Sequence, residues 1–214
     1  YVFLFMFDFD SHVARKNPEA VIKAFEYAFP KSYQNSVSLV IKSINGDRHP
    51  KEHKILKKLI DGDPRIIHIQ KVLPHYENAA LIHCCDCYVS LHRSEGFGLT
   101  IAEAMLLGKP VITTGYSGNM DFTTIETSLL VDYELIPVQQ GDYPYSKDEM
   151  WAEPDVEQAG DYMKKIVSDK DFSCSFAKKG QELIRTSFSI KSLSEIYKNR
   201  LEVISKEKTL VQKN

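Results

Sequence analysis

Two carboxylates and two cations in this chain have the types and spacing to do chemistry. Glu95 stands just before a Gly96-Phe97-Gly98 step, and Glu103 falls eight residues after it. From Leu99 to Leu107 the residues are good helix formers, and Gly108 and Pro110 supply the stop. On that helix Leu99, Glu103, Leu106 and Leu107 share a face, which makes Glu103 a charged group on an otherwise apolar stripe. Arg15 and Lys16 lie in a second loop, "DFDSHVARKNPE", immediately before a helix start at Asn17-Pro18. Glycines let a backbone approach a ligand closely, and the unpaired amides of Leu99 and Thr100 at a helix N-terminus bind anions. Two cations beside such a nest of amides suit a diphosphate. A carboxylate one turn into the helix then accepts hydrogen bonds from hydroxyls such as those of a ribose.

Each member alone has an ordinary reading. Glu95 before a helix complements the helix dipole, an effect under about 1 kcal/mol. Glu103 could pair with a Lys or Arg from a neighbouring helix, and Arg15 and Lys16 could be solvated surface charges. A single Gly-x-Gly is weak evidence for any phosphate site. The combination is what carries weight.

The elements that would position these groups alternate along the chain. Tyr1–Phe7 is a continuous apolar run, as in a strand buried on both faces. Helical spacing follows in Ala20, Ala24, Phe25 and Ala28. Further strands are read at Ser36–Ile44, Arg65–Ile69, Cys87–Leu91, Val111–Thr114 and Leu129–Val131. Helices fall at Pro50–Ile60 and His75–Cys84. This order implies an α/β fold: a Rossmann-like parallel sheet with flanking helices, whose ligands sit beyond the carboxyl ends of the strands. Asp132–Met150, with Pro, Gly, Gln and tyrosines, reads as an irregular insertion. Helices resume at Val156–Ser168, Phe172–Thr186 and Ser192–Ile204, and the polar tail 205–214 is expected to fray. Tyr1 opens inside an apolar strand without a leading loop, so residues 1–204 are expected to be one domain of a larger protein.

Composition narrows the class. The 214 residues are 43% hydrophobic, enough for a sizeable core, and the formal charge of -2 argues against a nucleic-acid partner. No run has the length of a membrane-spanning helix and no signal peptide is visible, so a cytoplasmic setting is expected. Four cysteines, with Cys84, Cys85 and Cys87 crowded together, form no disulfide framework. They also lack the separated pairs of a zinc site, so small core residues are the better reading, and Cys174 is expected to pack. The scattered histidines have no Ser or Cys partner at a triad spacing. His92 is the one to watch, because it enters the loop three residues before Glu95; its plain reading is a surface loop residue. Trp151 reads as a packing anchor for the insertion.

The stretch "RSEGFGLTIAEAMLLGKPVIT" resembles the E-x7-E signature of the retaining glycosyltransferases of family 4, also called group 1, which have the GT-B fold. Glu95 and Glu103 match the two glutamates, and Gly96, Phe97, Gly98, Leu99, Ala104, Met105, Gly108 and Pro110 extend the agreement. "HCCDCYVSLHRSE" resembles the family's approach to the motif. "TGYSGNMDF" takes the place of its Gly-Gly-x-x-Glu turn, with Ser117-Gly118 for the glycines and Asp121 for the glutamate. "SHVARKNPEAVIKAF" resembles the basic loop after the first strand, although Arg15 and Lys16 are adjacent here rather than several residues apart.

The resemblance implies the C-terminal, donor-binding half of a GT-B enzyme, with the N-terminal acceptor domain absent from this chain. It gives Glu95 a place by the donor sugar and Glu103 the nucleotide ribose. Lys16 and Arg15 neutralise the leaving diphosphate. Amides around Gly96, Phe97, Gly98, Leu99 and Thr100 hold sugar and phosphate. The implied donor is a GDP- or UDP-sugar, and the acceptor a saccharide or lipid-linked chain, as in surface-polysaccharide synthesis at the inner face of a membrane. No cofactor or obligatory metal is implied, because the cations take the metal's part. The chain alone is expected to bind donor weakly without turnover. Two rivals stay open: a non-catalytic nucleotide or carbohydrate-binding module on the same fold, and an α/β scaffold for protein contacts.

Overall fold

Alternation within the first strand builds two cores at once. In the computed structural model, which describes residues 1–33, 36–144 and 146–211 with side chains as far as 206, that strand is β1 (Val2–Asp8). Phe3, Phe5 and Phe7 point to one face of the sheet and Leu4 and Met6 to the other, and all are buried. The remaining sheet strands are β2 (Ser38–Ile44), β3 (Ile66–Gln70), β4 (Cys87–Ser90), β5 (Val111–Thr114) and β6 (Leu129–Val131). All pair in parallel, in the order β3-β2-β1-β4-β5-β6. The α/β parallel architecture read from the sequence is the one observed.

The helices are α1 (Val13–Lys16), α2 (Pro18–Ala28), α3 (Pro50–Ile60), α4 (His75–Cys84), α5 (Leu99–Leu106), α6 (Val156–Ser168), α7 (Lys170–Ser187) and α8 (Ile190–Val211). On the phenylalanine face α2 packs against α6, where Gly160 admits the edge of Tyr27 and the Ala24 carbonyl. On the opposite face α4 and α5 lie side by side and α7 closes over α5, with Gly180 against Met105.

Two segments depart from the sequence reading. Asp132–Met150 is bracketed by strands: β7 (Tyr133–Pro137) pairs antiparallel with β8 (Met150–Pro154), so only the residues between them are irregular. Their alternation is masked because β7 is mostly exposed, and the ribbon is seated by Trp151 and Ala152, both buried. The tail also does not fray at 205, since α8 continues to Val211; 212–214 lie outside the described residues. Along α8, Ile190, Ile196, Tyr197 and Leu201 are exposed. No helix among the described residues is long and apolar enough to cross a membrane.

Candidate active site

The sheet order reverses between β1 and β4, whose following segments run in opposite directions, to β2 and to β5. In a doubly wound sheet the crevice at such a switch point is the binding place. The loops that meet there carry Arg15 and Lys16 from β1, and Glu95 from β4.

On the β1 side, one turn of helix, α1, ends at Asn17 in the left-handed conformation (φ 54°). Asn17 also opens α2, its Oδ1 accepting the Ala20 N–H at 3.3 Å, with Pro18 at the first position. This tight join turns two adjacent cations into the crevice. Arg15 is fixed by donating from Nε to the Ser11 carbonyl (3.0 Å) and from Nη1 to the Ser94 carbonyl (2.9 Å). Its Nη1 lies 3.6 Å from Glu95 Oε2, and the Lys16 ammonium donates to Glu95 Oε1. Adjacent residues therefore do reach one carboxylate. All three side chains are largely buried.

On the β4 side, the Glu95 backbone is gripped from both directions. Its N–H donates to Ser117 Oγ (2.7 Å), and its carbonyl accepts the Gly118 N–H (3.1 Å). Ser117 adopts φ 73°, ψ -150°, a region ordinarily left to glycine and costing on the order of 1–3 kcal/mol. Beneath this turn His92 is fully buried, not on the surface as its position in a loop had implied. Asn119 donates to the Thr114 carbonyl (3.0 Å) and to Thr123 Oγ1 (3.1 Å), so its Oδ1 faces His92 Nε2 at 3.0 Å. Nε2 also meets the Tyr116 carbonyl (3.2 Å), while Nδ1 meets Ser90 Oγ (3.0 Å). The two acceptors require a proton on Nε2, and burial pushes the histidine pKa down, which favours the neutral ring with Nδ1 accepting from the Ser90 hydroxyl.

Gly98, at φ 88°, opens α5 without a side-chain cap, and its carbonyl accepts from both Ile101 and Ala102 (3.0 Å each). The N–H groups of Leu99 and Thr100 have no acceptor among the described residues. Arg15, Lys16, Glu95, Gly96, Phe97, Gly98, Leu99 and Thr100 line one pocket of about 530 Å³, which Tyr143 also borders. The Phe97 ring itself turns inward against Phe122 (4.9 Å between centroids) and Phe188 (6.2 Å), so it anchors the loop.

Lys16 and Thr100 also border a second cleft of about 580 Å³ between α4 and α5, and Glu103 lies in its wall. The apolar stripe expected around Glu103 is not the core face of α5. Ile101, Ala104 and Met105 are the buried positions, whereas Leu99 and Leu106 are exposed. Glu103 makes no ion pair among the described residues, which removes the reading that a neighbouring Lys or Arg explains it. Thr100 is positioned by the buried Tyr88 hydroxyl, which donates to its Oγ1 at 2.7 Å. Sequence reasoning missed Lys42, which is buried in the same cleft, and gave no role to Ser117, Gly118 or Asn119. An unpaired Lys within "LVIKSI" was the available signal for the first.

The ribbon is fastened to this site. The Ala152 N–H donates to the Arg93 carbonyl (3.0 Å), and Arg93 Nε donates to Glu153 Oε2 (2.5 Å). The Arg93 guanidinium lies 5.3 Å from the Trp151 ring centre, and its Nη1 donates to the Ala14 carbonyl (2.9 Å). Among the described residues no three His, Cys, Asp or Glu side chains gather as a metal site. The cysteines are free; Cys85 and Cys87 are core residues as expected, whereas Cys84 and Cys174 are exposed, not packed as the sequence had implied.

Residues 6–131 match the family of glycosyl transferases group 1. The chain belongs to that family. Solved structures agree on the fold of this group 1 chain. HepE from Anabaena, in complex with UDP and glucose, superposes with TM-score 0.69 at 18% identity over 95% of this chain and 48% of its own. The C-terminal domain of a group 1 glycosyl transferase, LpcC from Francisella tularensis, gives TM-score 0.63 at 22% identity, over 88% of this chain and 86% of that domain. Sucrose-phosphate synthase from Thermosynechococcus elongatus gives 0.68 at 19%, over 94% and 46%. The group 1 chain thus spans about half the length of HepE and of the synthase, and it has the architecture of a C-terminal GT-B domain. A search of curated protein sequences returned no match.

Proposed function

We propose that this chain is the donor-binding half of a retaining hexosyltransferase. It takes a nucleoside-diphosphate sugar and, with an acceptor-binding half, passes the hexose to a saccharide or lipid-linked acceptor in surface-polysaccharide synthesis. The observation that carries this reading is the convergence of Arg15 and Lys16 at the free N-terminus of α5, beside a cleft whose wall holds an unpaired carboxylate, Glu103.

Departure of a sugar leaves a diphosphate with extra negative charge. Arg15, Lys16 and the amides of Leu99 and Thr100 line the pocket where that charge grows, and once the diphosphate takes the place of Glu95 on the two cations they stabilise it. The Glu103 carboxylate accepts from the ribose hydroxyls. Glu95, on the sugar side of the cations, orients the hexose. The HepE complexes with UDP and UDP-glucose support a nucleotide-sugar donor by analogy of fold.

Equilibrium dialysis against radiolabelled UDP-glucose and GDP-mannose tests the reading. Saturable retention of one of them, displaced by the matching unlabelled nucleoside diphosphate, is expected. Retention of neither by folded protein contradicts it.

A further inference from the structure

Among the described residues the Lys42 ammonium has no polar contact that would tie it into the fold. It lies inside β2, in register with Met6 of β1 and Ile69 of β3, on the sheet face that α4 and α5 cover. The residue is only 6% exposed, yet its ammonium has no hydrogen bond or ion pair with any described residue. Burial pushes its pKa below the usual lysine range, and the Asp8 carboxylate only partly opposes this. That carboxylate is itself engaged, accepting from Asn45 Nδ2 (2.8 Å) and from the Asp10 N–H (2.9 Å). A buried cation without a close partner is costly, and an apolar residue at this position would avoid the cost.

The ammonium opens into the cleft that holds Glu103. Ile82 of α4 and Leu106 and Leu107 at the end of α5 give the cleft apolar walls, and Asp8, His75 and Asn78 add polar groups beside Glu103 and Lys42. Apolar walls with a few placed polar groups suit a flat heterocycle, and of these groups Lys42 is the buried cation. An ammonium donates three hydrogen bonds and accepts none, so the facing edge must present an acceptor. Keto oxygens of uracil and guanine are strong acceptors there, whereas the corresponding exocyclic group of adenine is an amine that donates and leaves an ammonium only the neighbouring ring nitrogens.

We propose that Lys42 reads the keto oxygen of the donor's nucleobase and selects uridine or guanosine diphosphate over adenosine diphosphate. The assignment rests on the nucleotide-sugar reading above and names the base class that the same site accepts.

Calorimetric titration with UDP, GDP, ADP and inorganic pyrophosphate tests it, on the native chain, Lys42→Met and Lys42→Arg. A hydrogen bond to a charged group predicts that UDP or GDP binds roughly tenfold or more tighter than ADP. Lys42→Met should erase that preference while leaving ADP and pyrophosphate affinity unchanged, and Lys42→Arg should keep it. ADP binding as tightly as both keto nucleotides overturns the assignment alone. So does a Lys42→Met loss shared equally by ADP and pyrophosphate, which would make Lys42 a phosphate or folding residue. Binding of none of the four overturns this assignment and the donor-binding reading together.

Discussion

Gly118 stands so close to Gly96 that a β-carbon on it would overlap the Gly96 carbonyl oxygen, while its N–H donates to the carbonyl of Glu95 at 3.1 Å. The turn after β5 is thereby locked to the loop after β4, and Glu95 cannot shift without it. Gly118→Ala should destabilise the fold by about 1–3 kcal/mol through overpacking. It should also weaken nucleotide binding by displacing the Glu95 loop. Thermal unfolding paired with nucleotide titration checks both, and unchanged values for both would show the contact to be soft.

Glu95 pairs with both cations, so a diphosphate has to compete with it. Glu95→Gln should therefore tighten nucleoside-diphosphate binding by about 1 kcal/mol, roughly fivefold, while removing transfer in an enzyme with both halves. Lys16→Ala should act in the opposite direction on binding. Calorimetry on the two variants reads the signs, and weakening by Glu95→Gln would contradict the competition.

His92 is buried neutral, with its pKa depressed by burial below the ordinary value near 6.5. Below that value the unfolded chain binds a proton that the native ring refuses. Stability is accordingly full above about pH 6.5 and falls as the pH drops toward the native pKa, with a slope of up to about 1.4 kcal/mol per pH unit from this residue. Burial depresses His53 and His68 as well, which gives a slope of the same sign. Urea unfolding between pH 7 and pH 5 should show a shallower loss in His92→Gln than in the native chain.

Arg93 ties α1, the Glu95 loop and the β7–β8 ribbon together through the Ala14 carbonyl, Glu153 and the Trp151 ring. Arg93→Ala should cost about 1–3 kcal/mol, because the partners are left partly buried and unpaired. Limited proteolysis should then cut between 138 and 149 faster than in the native chain. Equal cutting rates would show that the ribbon holds its place without Arg93.

Most of the sheet was readable because its strands are buried on both faces, and runs such as "YVFLFMF" and "VSLVIKSI" have few other uses. The helix around Glu103 was readable in extent but not in orientation. Leu99 and Leu106 look like core positions by type, yet α5 buries Ile101, Ala104 and Met105 and leaves the leucines at the mouth and wall of the clefts. The ribbon was missed because its strands pair only with each other, and the buried residues Trp151 and Ala152 are adjacent instead of alternating. His92 was misplaced because loop position says nothing about depth. Its burial depends on Asn119 and Tyr116 arriving from the next βα connection.

The most direct measurement is a calorimetric titration with whichever of UDP, GDP or ADP binds tightest, repeated on Lys16→Ala and Glu103→Ala and with the matching monophosphate and 2′-deoxy nucleotides. Lys16→Ala should abolish the preference for diphosphate over monophosphate, and Glu103→Ala should abolish the preference for the ribonucleotide over its deoxy form. If both variants bind every nucleotide as the native chain does, the crevice between β1 and β4 is not the donor site.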